Sequence, residues 1–314
     1  MSIVERAADR LRAQAPAPLT GPSAAAREGQ VPPVVTTVER ALESVSPARS
    51  TGIGDAAASE ERGSASVVVS VDVPRFRQMG LQPTDGDAER RLADELRRVK
   101  RPLLANVLGR GPEPVPRSAY VMVASALPGE GKTFTTWNLA RSMAREPDLE
   151  VLLVDGDIPK ADITRALALT GRPGLSEVLS DTRLNPADVT LTTDVANLRV
   201  LPAGKYHPLT AELLGGQRMD DVLEMLESGG RRRVVLFDSP PLLTAPEAAS
   251  LSAHMGQVVV VVAAARTKQQ EVALALETLA HTPYVGFVLN MSQMSSLDGY
   301  YYNYGSYAQR ESGT

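Results

Sequence analysis

Two adjoining stretches carry the strongest structural signal in this sequence: Tyr120-Val-Met-Val-Ala124 and Ala126-Leu-Pro-Gly-Glu-Gly-Lys-Thr133. The first is an unbroken apolar run, as expected of a strand that is buried on both faces. The second is rich in glycine and leads into a helical pattern that continues to Arg145. Between a strand and a helix, such a turn directs backbone N–H groups and the helix N-terminus at an anion. We therefore predict a phosphate-binding loop at this junction.

The side chains of this loop have the chemistry that a nucleotide and its metal require. Gly129 and Gly131 allow the backbone to approach the phosphates of ATP closely. The Lys132 ammonium can reach the β- and γ-phosphates, and the Thr133 hydroxyl can ligate Mg²⁺. The strict motif begins with Gly where this chain has Ala126, but the Pro-Gly pair can still form the turn. The residues expected to bind the nucleotide are Pro128, Gly129, Glu130, Gly131, Lys132, Thr133 and Phe134.

Strands and helices alternate along the chain after this loop. Short apolar strands separated by helices predict an α/β fold with a mostly parallel sheet and helices on both faces. The strands are solidly apolar rather than alternating, so we expect all of them to be buried on both faces. Together with the loop, this pattern is typical of a P-loop NTPase, whose ligands bind beyond the carboxyl ends of the strands. The further strands are expected at Val151–Val154, Val234–Phe237, Val258–Val262 and Gly286–Leu289, and helices at Thr133–Arg145, Arg218–Glu227 and Lys268–Ala280.

Three aspartates directly follow the ends of predicted strands. Asp155 and Asp157 come after one strand, and Asp238 comes after another. Either Asp155 or Asp157 can accept a proton from an attacking hydroxyl, and the sequence leaves open which one does. For any single Asp, a helix cap or a turn is the alternative role. With the loop upstream, we predict Lys132, Asp155, Asp157 and Asp238 as catalytic residues, and Thr133, Asp155 and Asp238 as the oxygen ligands of Mg²⁺.

Asn290 ends the last predicted strand. A side-chain amide at this place can hydrogen-bond the edge of the adenine base, so Asn290 is a candidate nucleotide-binding residue. An ordinary turn residue is the alternative.

Composition excludes several other functions. The chain has no cysteine and only three histidines, which argues against disulfides, thiolate chemistry and a His-rich metal site. The net charge of −4 does not indicate binding to nucleic acid. The longest apolar run, near Val258–Ala265, is far shorter than the roughly 20 residues of a membrane-spanning helix. The terminus also lacks the apolar core of a signal peptide, so we expect a cytoplasmic protein.

Four parts can be distinguished along the chain. Residues 1–66 are rich in Ala, Ser, Pro and Gly and are expected to be mostly disordered. Their amphipathic stretch Ser2–Ala13 is either a frayed terminus or a docking helix. Residues 67–115 form an N-terminal helical segment with a helix at Asp87–Leu104, and residues 116–292 form the P-loop domain. Residues 293–314 are expected to be a flexible tail.

The tail contains most of the tyrosines in a chain that has few aromatic residues. Gly299-Tyr-Tyr-Tyr-Asn-Tyr-Gly-Ser-Tyr307 is flanked by small and polar residues, which is typical of a solvated segment. Clustered phenols on such a tail are suitable phosphoacceptors. An adhesive tail that binds a partner by aromatic stacking is the alternative. The candidate phosphoacceptors are Tyr300, Tyr301, Tyr302, Tyr304 and Tyr307.

Several of these stretches together resemble the bacterial tyrosine kinases (BY-kinases) of exopolysaccharide and capsule assembly. The resemblance is closer to the tyrosine autokinases of exosortase (PEP-CTERM) loci and covers roughly residues 66–307. In addition to the loop and the tail, it rests on Lys100-Arg-Pro-Leu-Leu104, Val151-Leu-Leu-Val-Asp155, Leu201-Pro-Ala-Gly204, Phe237-Asp-Ser-Pro-Pro-Leu-Leu243 and Met255-Gly-Gln257.

This resemblance implies an enzyme that transfers phosphate from ATP, with Mg²⁺, to tail tyrosines of a neighbouring subunit. It also implies a membrane-embedded activator of the polysaccharide co-polymerase type, which would keep the kinase peripheral to the inner membrane. The family's Glu-x-x-Arg-x-x-Arg motif, used in a ring-like homo-oligomer, maps to Glu95, Arg98 and Arg101. A solvated charged helix face is the alternative for these three residues.

Two other functions compete with this interpretation. A partitioning or positioning ATPase of the same fold would carry an extra Lys early in the loop, where this chain has Leu127, and would lack the tyrosine tail. A nucleotide-gated scaffold without kinase activity is the other alternative, and the intact Lys132, Asp155 and Asp238 argue against it.

Overall fold

The structure is a computed structural model that describes residues 68–227 and 232–292. The predicted disordered region, the stretch Ser2–Ala13 and the tyrosine tail lie outside the described residues. Within them, none of the helices combines the length and the apolar character needed to cross a membrane.

The described residues form one eight-stranded sheet. Its spatial order is β1-β4-β5-β3-β6-β2-β7-β8, and every neighbouring pair is parallel except β4 and β5. The prediction of a mostly parallel sheet is therefore confirmed. The strands are β1 (Val68–Val69), β2 (Tyr120–Ser125), β3 (Leu149–Asp155), β4 (Leu191–Thr193), β5 (Leu198–Leu201), β6 (Arg232–Asp238), β7 (Gln257–Ala263) and β8 (Tyr284–Asn290).

Helices connect the strands and cover both faces of the sheet, as predicted. Helices α1 to α4 pack on one face, and α5 to α10 pack on the other. The helices are α1 (Val73–Gln78), α2 (Gly86–Val107), α3 (Lys132–Met143), α4 (Asp162–Ala166), α5 (Leu175–Ser180), α6 (Pro186–Val189), α7 (Thr210–Gly215), α8 (Gln217–Glu227), α9 (Pro246–Ser252) and α10 (Gln269–Glu277).

The central strands supply side chains to both cores, because successive residues of a strand point to opposite faces. In β2, Val121 and Val123 belong to the core under α1 to α4, while Met122 and Ala124 belong to the core on the other face. All four side chains are fully buried. This two-sided burial explains why the central strands read as continuous apolar runs.

The predicted helical segment before the P-loop domain shares a core with it. Phe76 of α1 packs against Trp137 of α3 with ring centroids 4.2 Å apart, and Leu96 and Leu103 of α2 lie in the same cluster. Asp85 begins α2 as an N-cap, because its carboxylate accepts a hydrogen bond from Ala88 N at 2.7 Å. Helices α1 and α2 therefore support the helix that follows the phosphate-binding loop.

Two features of the sheet differ from the sequence prediction. Strands β4 and β5 and the short helices α4 to α7 were not predicted, whereas α8 was predicted at Arg218–Glu227. Strand β8 was predicted as a strand buried on both faces, but it forms the edge of the sheet, and Phe287 and Leu289 are exposed. An edge strand has only one neighbour, so part of its apolar surface is left uncovered.

Candidate active site

The glycine-rich loop connects β2 to α3, as the sequence predicted. Gly129 and Gly131 have φ values of 81° and 93°, a region that side-chain-bearing residues seldom adopt. Gly131 is the N-cap of α3, and a Cβ atom on it would lie 2.1 Å from Asn290 Nδ2. Pro128 and Gly129 are exposed at the tip of the loop. Ala126, which stands in place of the usual Gly, is fully buried in the core.

Lys132 begins α3 and turns its ammonium group toward the end of β3. Its Nζ lies 2.8 Å from Asp157 Oδ2, and both side chains are almost completely buried. Burial alone would lower the pKa of Lys132, but the negative charges of Asp238 and Asp157 outweigh burial and raise it. Lys132 is therefore a positive charge held at the carboxyl ends of the strands.

The carboxylate of Asp238, at the end of β6, contacts two threonines of α3. Thr133 donates its hydroxyl hydrogen to Asp238 Oδ2 at 2.8 Å. Thr136 Oγ1 lies 3.0 Å from Asp238 Oδ1 and 2.8 Å from the carbonyl oxygen of Lys132. Thr136 was not predicted, although its place one turn after Lys132 puts it on the same side of the helix.

Asp155 and Asp238 are direct neighbours in the sheet. They are paired in the parallel register of β3 and β6, and both are fully buried. Burial, together with the repulsion from Asp238, raises the pKa of Asp155 to about 7. Burial also raises the pKa of Asp238 to about 6, although Lys132 and Thr133 oppose the change. Burial and the neighbouring like charge disfavour the ionised forms of these two carboxylates, and a bound cation would offset that cost.

Thr164 of α4 holds one oxygen of Asp155. Its backbone N–H donates to Asp155 Oδ2 at 2.8 Å, and its hydroxyl donates to the same oxygen at 2.7 Å. Among the described residues, Asp155 Oδ1 is buried and has no hydrogen-bond partner. Thr164 was not predicted, and no local sequence pattern marks it. Its hydrogen bonds leave the other oxygen of Asp155 available.

The residues present fit a Mg²⁺ ion. The described part of the chain contains no cluster of three or more His, Cys, Asp or Glu side chains suited to hold a metal alone. Mg²⁺ is, however, usually bound by one or two carboxylates together with substrate phosphates and water. A buried, unpartnered carboxylate oxygen of Asp155, the neighbouring Asp238 and the Thr133 hydroxyl supply oxygen ligands of this kind.

Two predicted nucleotide-binding residues make contacts inside the protein. The Glu130 carboxylate, only 3% exposed, accepts hydrogen bonds from Leu127 N and from the Thr267 hydroxyl. Asn290 Nδ2 donates to the carbonyl oxygen of Glu130 at 2.9 Å. The structure thus places Asn290 against the loop, and Thr267 is a further residue near the loop that the sequence analysis missed.

The predicted oligomerisation residues lie away from the loop, on α2. Glu95, Arg98 and Arg101 are all exposed on that helix. Arg101 also lines a groove of ≈480 Å³ with Arg97, Lys100 and Arg110, among others. Lys100 is paired with Glu146 at 2.6 Å. An exposed, mostly basic helix surface is compatible with either alternative that the sequence left open.

The fold and the site together define a P-loop NTPase-type nucleotide-binding domain. The chain is 31% identical over 188 residues to tyrosine-protein kinase YwqD of Bacillus subtilis (strain 168), covering 59% of this chain and 77% of that protein. It is 30% identical over 195 residues to tyrosine-protein kinase CpsD of Streptococcus pneumoniae, covering 59% and 83%. The chain therefore belongs to the bacterial tyrosine-protein kinases. It spans 24% of the similar kinase ptk of Acinetobacter johnsonii, with 30% identity. No protein-family model matches the chain.

The chain is also similar to solved structures of tyrosine kinase domains. The kinase domain of the Escherichia coli tyrosine kinase ETK has a TM-score of 0.51 and 27% identity, covering 56% of this chain and 69% of that chain. The BceF tyrosine kinase domain has a TM-score of 0.51 and 28% identity, covering 62% and 76%. The chimerical protein CapA2B2, at 23% identity and a TM-score of 0.56, supports the fold alone. The BY-kinase resemblance is confirmed over the partitioning-ATPase alternative.

Proposed function

We propose that this kinase transfers the γ-phosphoryl group of ATP to the tyrosines of its own tail, between neighbouring subunits. The observation that carries the proposal is the meeting of Lys132, Asp157, Asp155 and Asp238 at the carboxyl ends of β3 and β6. Positioning and charge neutralisation contribute most of the catalysis in phosphoryl transfer, and this arrangement supplies both.

Each residue has a proposed task in that reaction. The loop from Pro128 to Phe134, which includes Lys132, holds the phosphates. Asn290 supports the loop. Bound Mg²⁺ would neutralise phosphate charge, held by Thr133, Asp155 and Asp238. The bond from the γ-phosphorus to ADP breaks as its bond to the tyrosine oxygen forms, and the tyrosine proton passes to Asp155 or Asp157.

The proposal also includes the assembly of the kinase and its partners. Glu95, Arg98 and Arg101 would join subunits into a ring, so that the tail of one subunit reaches the site of the next. Several tail phosphates would repel one another and loosen the ring. A membrane-embedded co-polymerase-type protein would activate the kinase at the inner membrane, and the cycle would regulate exopolysaccharide polymerisation or export. The association with an exosortase locus and the boundaries 1–66, 67–115, 116–292 and 293–314 remain predictions.

Phosphate mapping tests the kinase proposal directly. The purified chain is incubated with ATP and Mg²⁺ beside Lys132→Met, and the phosphorylated residues are located by mass spectrometry. We expect phosphate on Tyr300, Tyr301, Tyr302, Tyr304 or Tyr307 in the intact protein and none in Lys132→Met. ATP consumption without tail phosphate would contradict the autokinase proposal and favour a plain ATPase.

The base is identified with two further variants. Asp155→Asn and Asp157→Asn each remove one carboxylate with little change in size. We expect the variant that lacks the base to lose phosphorylation at saturating ATP, while it still binds the nucleotide. If both variants phosphorylate the tail at the wild-type rate, neither carboxylate is the base.

A further inference from the structure

Glu130 lies within the phosphate-binding loop, and its carboxylate binds protein groups inside the loop and beyond it. The side chain is buried, and both of its oxygens are occupied inside the protein. Oε2 accepts a hydrogen bond from Leu127 N at 2.8 Å, and Oε1 accepts one from the Thr267 hydroxyl. A buried carboxylate is costly unless it is hydrogen-bonded in this way. The side chain therefore supports the shape of the loop, because both of its oxygens bind groups of the protein.

The partners of Glu130 come from two other parts of the sheet edge. Thr267 follows β7, and its Oγ1 also accepts a hydrogen bond from Ala263 N at 3.2 Å. Asn290, at the end of β8, donates to the Glu130 carbonyl oxygen at 2.9 Å. The loop is thus attached to the ends of β7 and β8 through one residue.

The fit around this attachment is tight. A Cβ atom on Gly131 would overlap Asn290 Nδ2, so the loop and the end of β8 are in close contact. Gly131 is also the N-cap of α3 and has a positive φ. A shift of Asn290 or Thr267 would therefore change the directions of the backbone N–H groups that precede Lys132.

We infer that Glu130, Thr267 and Asn290 form a clamp that positions the phosphate-binding loop. Glu130 and Thr267 are positioning residues, because they act on the nucleotide only through the backbone of Leu127 to Gly131. Because Asn290 ends β8, the last described strand before the tail segment, the clamp also joins the nucleotide site to that strand. This inference deepens the proposed function and rests on it for its kinase readout.

The clamp is tested by removing one hydroxyl. Thr267→Val keeps the shape of the side chain but removes the hydrogen bond to Glu130 and the one from Ala263 N, and Thr267→Ser restores the hydroxyl that makes both. Thr278→Val is the matched control, because Thr278 follows directly after α10 and its hydroxyl donates to the carbonyl oxygen of Ala275 in that helix. Affinity for ADP with Mg²⁺ is measured by calorimetry, and the unfolding midpoint is measured without nucleotide.

We expect Thr267→Val to weaken ADP binding about tenfold, the size of effect expected from loss of one hydrogen bond to a charged group. Thr267→Ser and Thr278→Val should bind within about twofold of the wild type. The KM for ATP in tail phosphorylation should rise in parallel in Thr267→Val. Wild-type affinity in Thr267→Val would overturn the inference, as would a lower unfolding midpoint with unchanged affinity.

A double variant tests whether the two residues act as one unit. In the Glu130→Ala background, Thr267→Val should cause no further loss of ADP affinity, because its partner is already gone. A further tenfold loss would show that Thr267 acts independently and would overturn the clamp. Failure of the intact chain to bind ADP or ATP at all would instead overturn the proposed function, so the two failures are distinguishable.

Discussion

Lys132 and Asp157 form a buried ion pair that links α3 to the end of β3. Their charged atoms are 2.8 Å apart, and the two side chains are only 7% and 6% exposed. Bringing two charges out of water is costly, and each charge depends on the other to offset that cost. The pair thus couples the phosphate-binding loop to an acidic strand end, and losing either partner removes the opposite charge in direct contact with the other.

A double-mutant cycle on this pair has a defined expected result. Lys132→Met alone should lower the free energy of unfolding by about 3 kcal/mol, because it leaves a buried carboxylate unpaired. Asp157→Asn alone should lower it by less, because Asp238 still offsets the charge of Lys132. The double variant should be more stable than the sum of the two losses predicts, by about 1–3 kcal/mol. Urea unfolding measures all four proteins.

The exposed pair Arg183–Asp181 is the control for this cycle. Its side chains are exposed to solvent, so the same cycle there should show a coupling below about 1 kcal/mol. If the losses in the free energy of unfolding of the two single variants simply add up in the double variant, Lys132 and Asp157 do not interact, and the ion pair is contradicted.

The stability of the protein should decrease as the pH rises from about 4 to about 7. The pKa of Asp155 is raised from 3.8 to about 7 in the fold, so in this range the native state binds more protons than the unfolded state. The stabilisation is complete below the unfolded-state pKa and is lost as the pH passes the folded-state pKa. Thermal unfolding between pH 5 and pH 8, without nucleotide or Mg²⁺, measures the slope.

Asp155→Asn provides the comparison for the pH experiment. The variant cannot lose a proton, so its unfolding midpoint should change less between pH 5 and pH 8. A smaller slope of the same sign should remain, because the pKa of Asp238 is also raised, to about 6. An unchanged slope in Asp155→Asn would contradict the assignment to Asp155.

Phe76 should be essential for the packing of α1 and α2 against α3. Its ring is fully buried against Trp137, so Phe76→Ala should lower the free energy of unfolding by about 3–5 kcal/mol. Trp137 is the only tryptophan of the chain, so its fluorescence reports directly on this contact. Leu274→Ala, at an exposed site, should stay within about 0.5 kcal/mol of the wild type. Equal stability of the two variants would contradict the shared core.

Exposed charges on α2 should affect assembly and leave folding unchanged. Glu95→Ala and Arg101→Ala should reduce the size of the oligomer in sedimentation velocity, because each removes one side of a proposed subunit contact. Their unfolding midpoints should stay at the wild-type value, since both side chains are exposed. Arg91→Ala, also exposed on α2, is the control that should leave the oligomer intact. If the size of the oligomer is unchanged in all three variants, the motif is a solvated charged helix face and not a subunit contact.

The elements that could be predicted from the sequence are those whose own residues form a recognisable pattern. The apolar runs of β2, β3, β6 and β7 and the Gly-Lys-Thr sequence each identify an element without reference to the rest of the chain. The carboxyl ends of β3 and β6 could then be placed beside the loop, because parallel strands end at the same edge. The structure confirms that the two strands end at the same edge, because Asp155 and Asp238 are direct neighbours there.

The parts that the sequence did not predict depend on tertiary contacts. Strand β4 contains two threonines and β5 contains Arg199, so neither has the apolar pattern of a central strand. Thr164 and Thr267 are ordinary polar residues in sequence, and only the fold brings them to Asp155 and Glu130. The apolar residues of β8 suggested two-sided burial because sequence alone does not tell an edge strand from a central one.

The order of the strands has a consequence for how the protein folds. Strand β6 pairs with β3 on one side and with β2 on the other, and long segments of chain separate it from both. Closing such long loops is entropically costly and makes parallel pairing slow, so high contact order should limit the refolding rate. The two acidic strand ends come together only when this pairing is complete. We therefore expect the nucleotide pocket to be among the last regions to form during refolding.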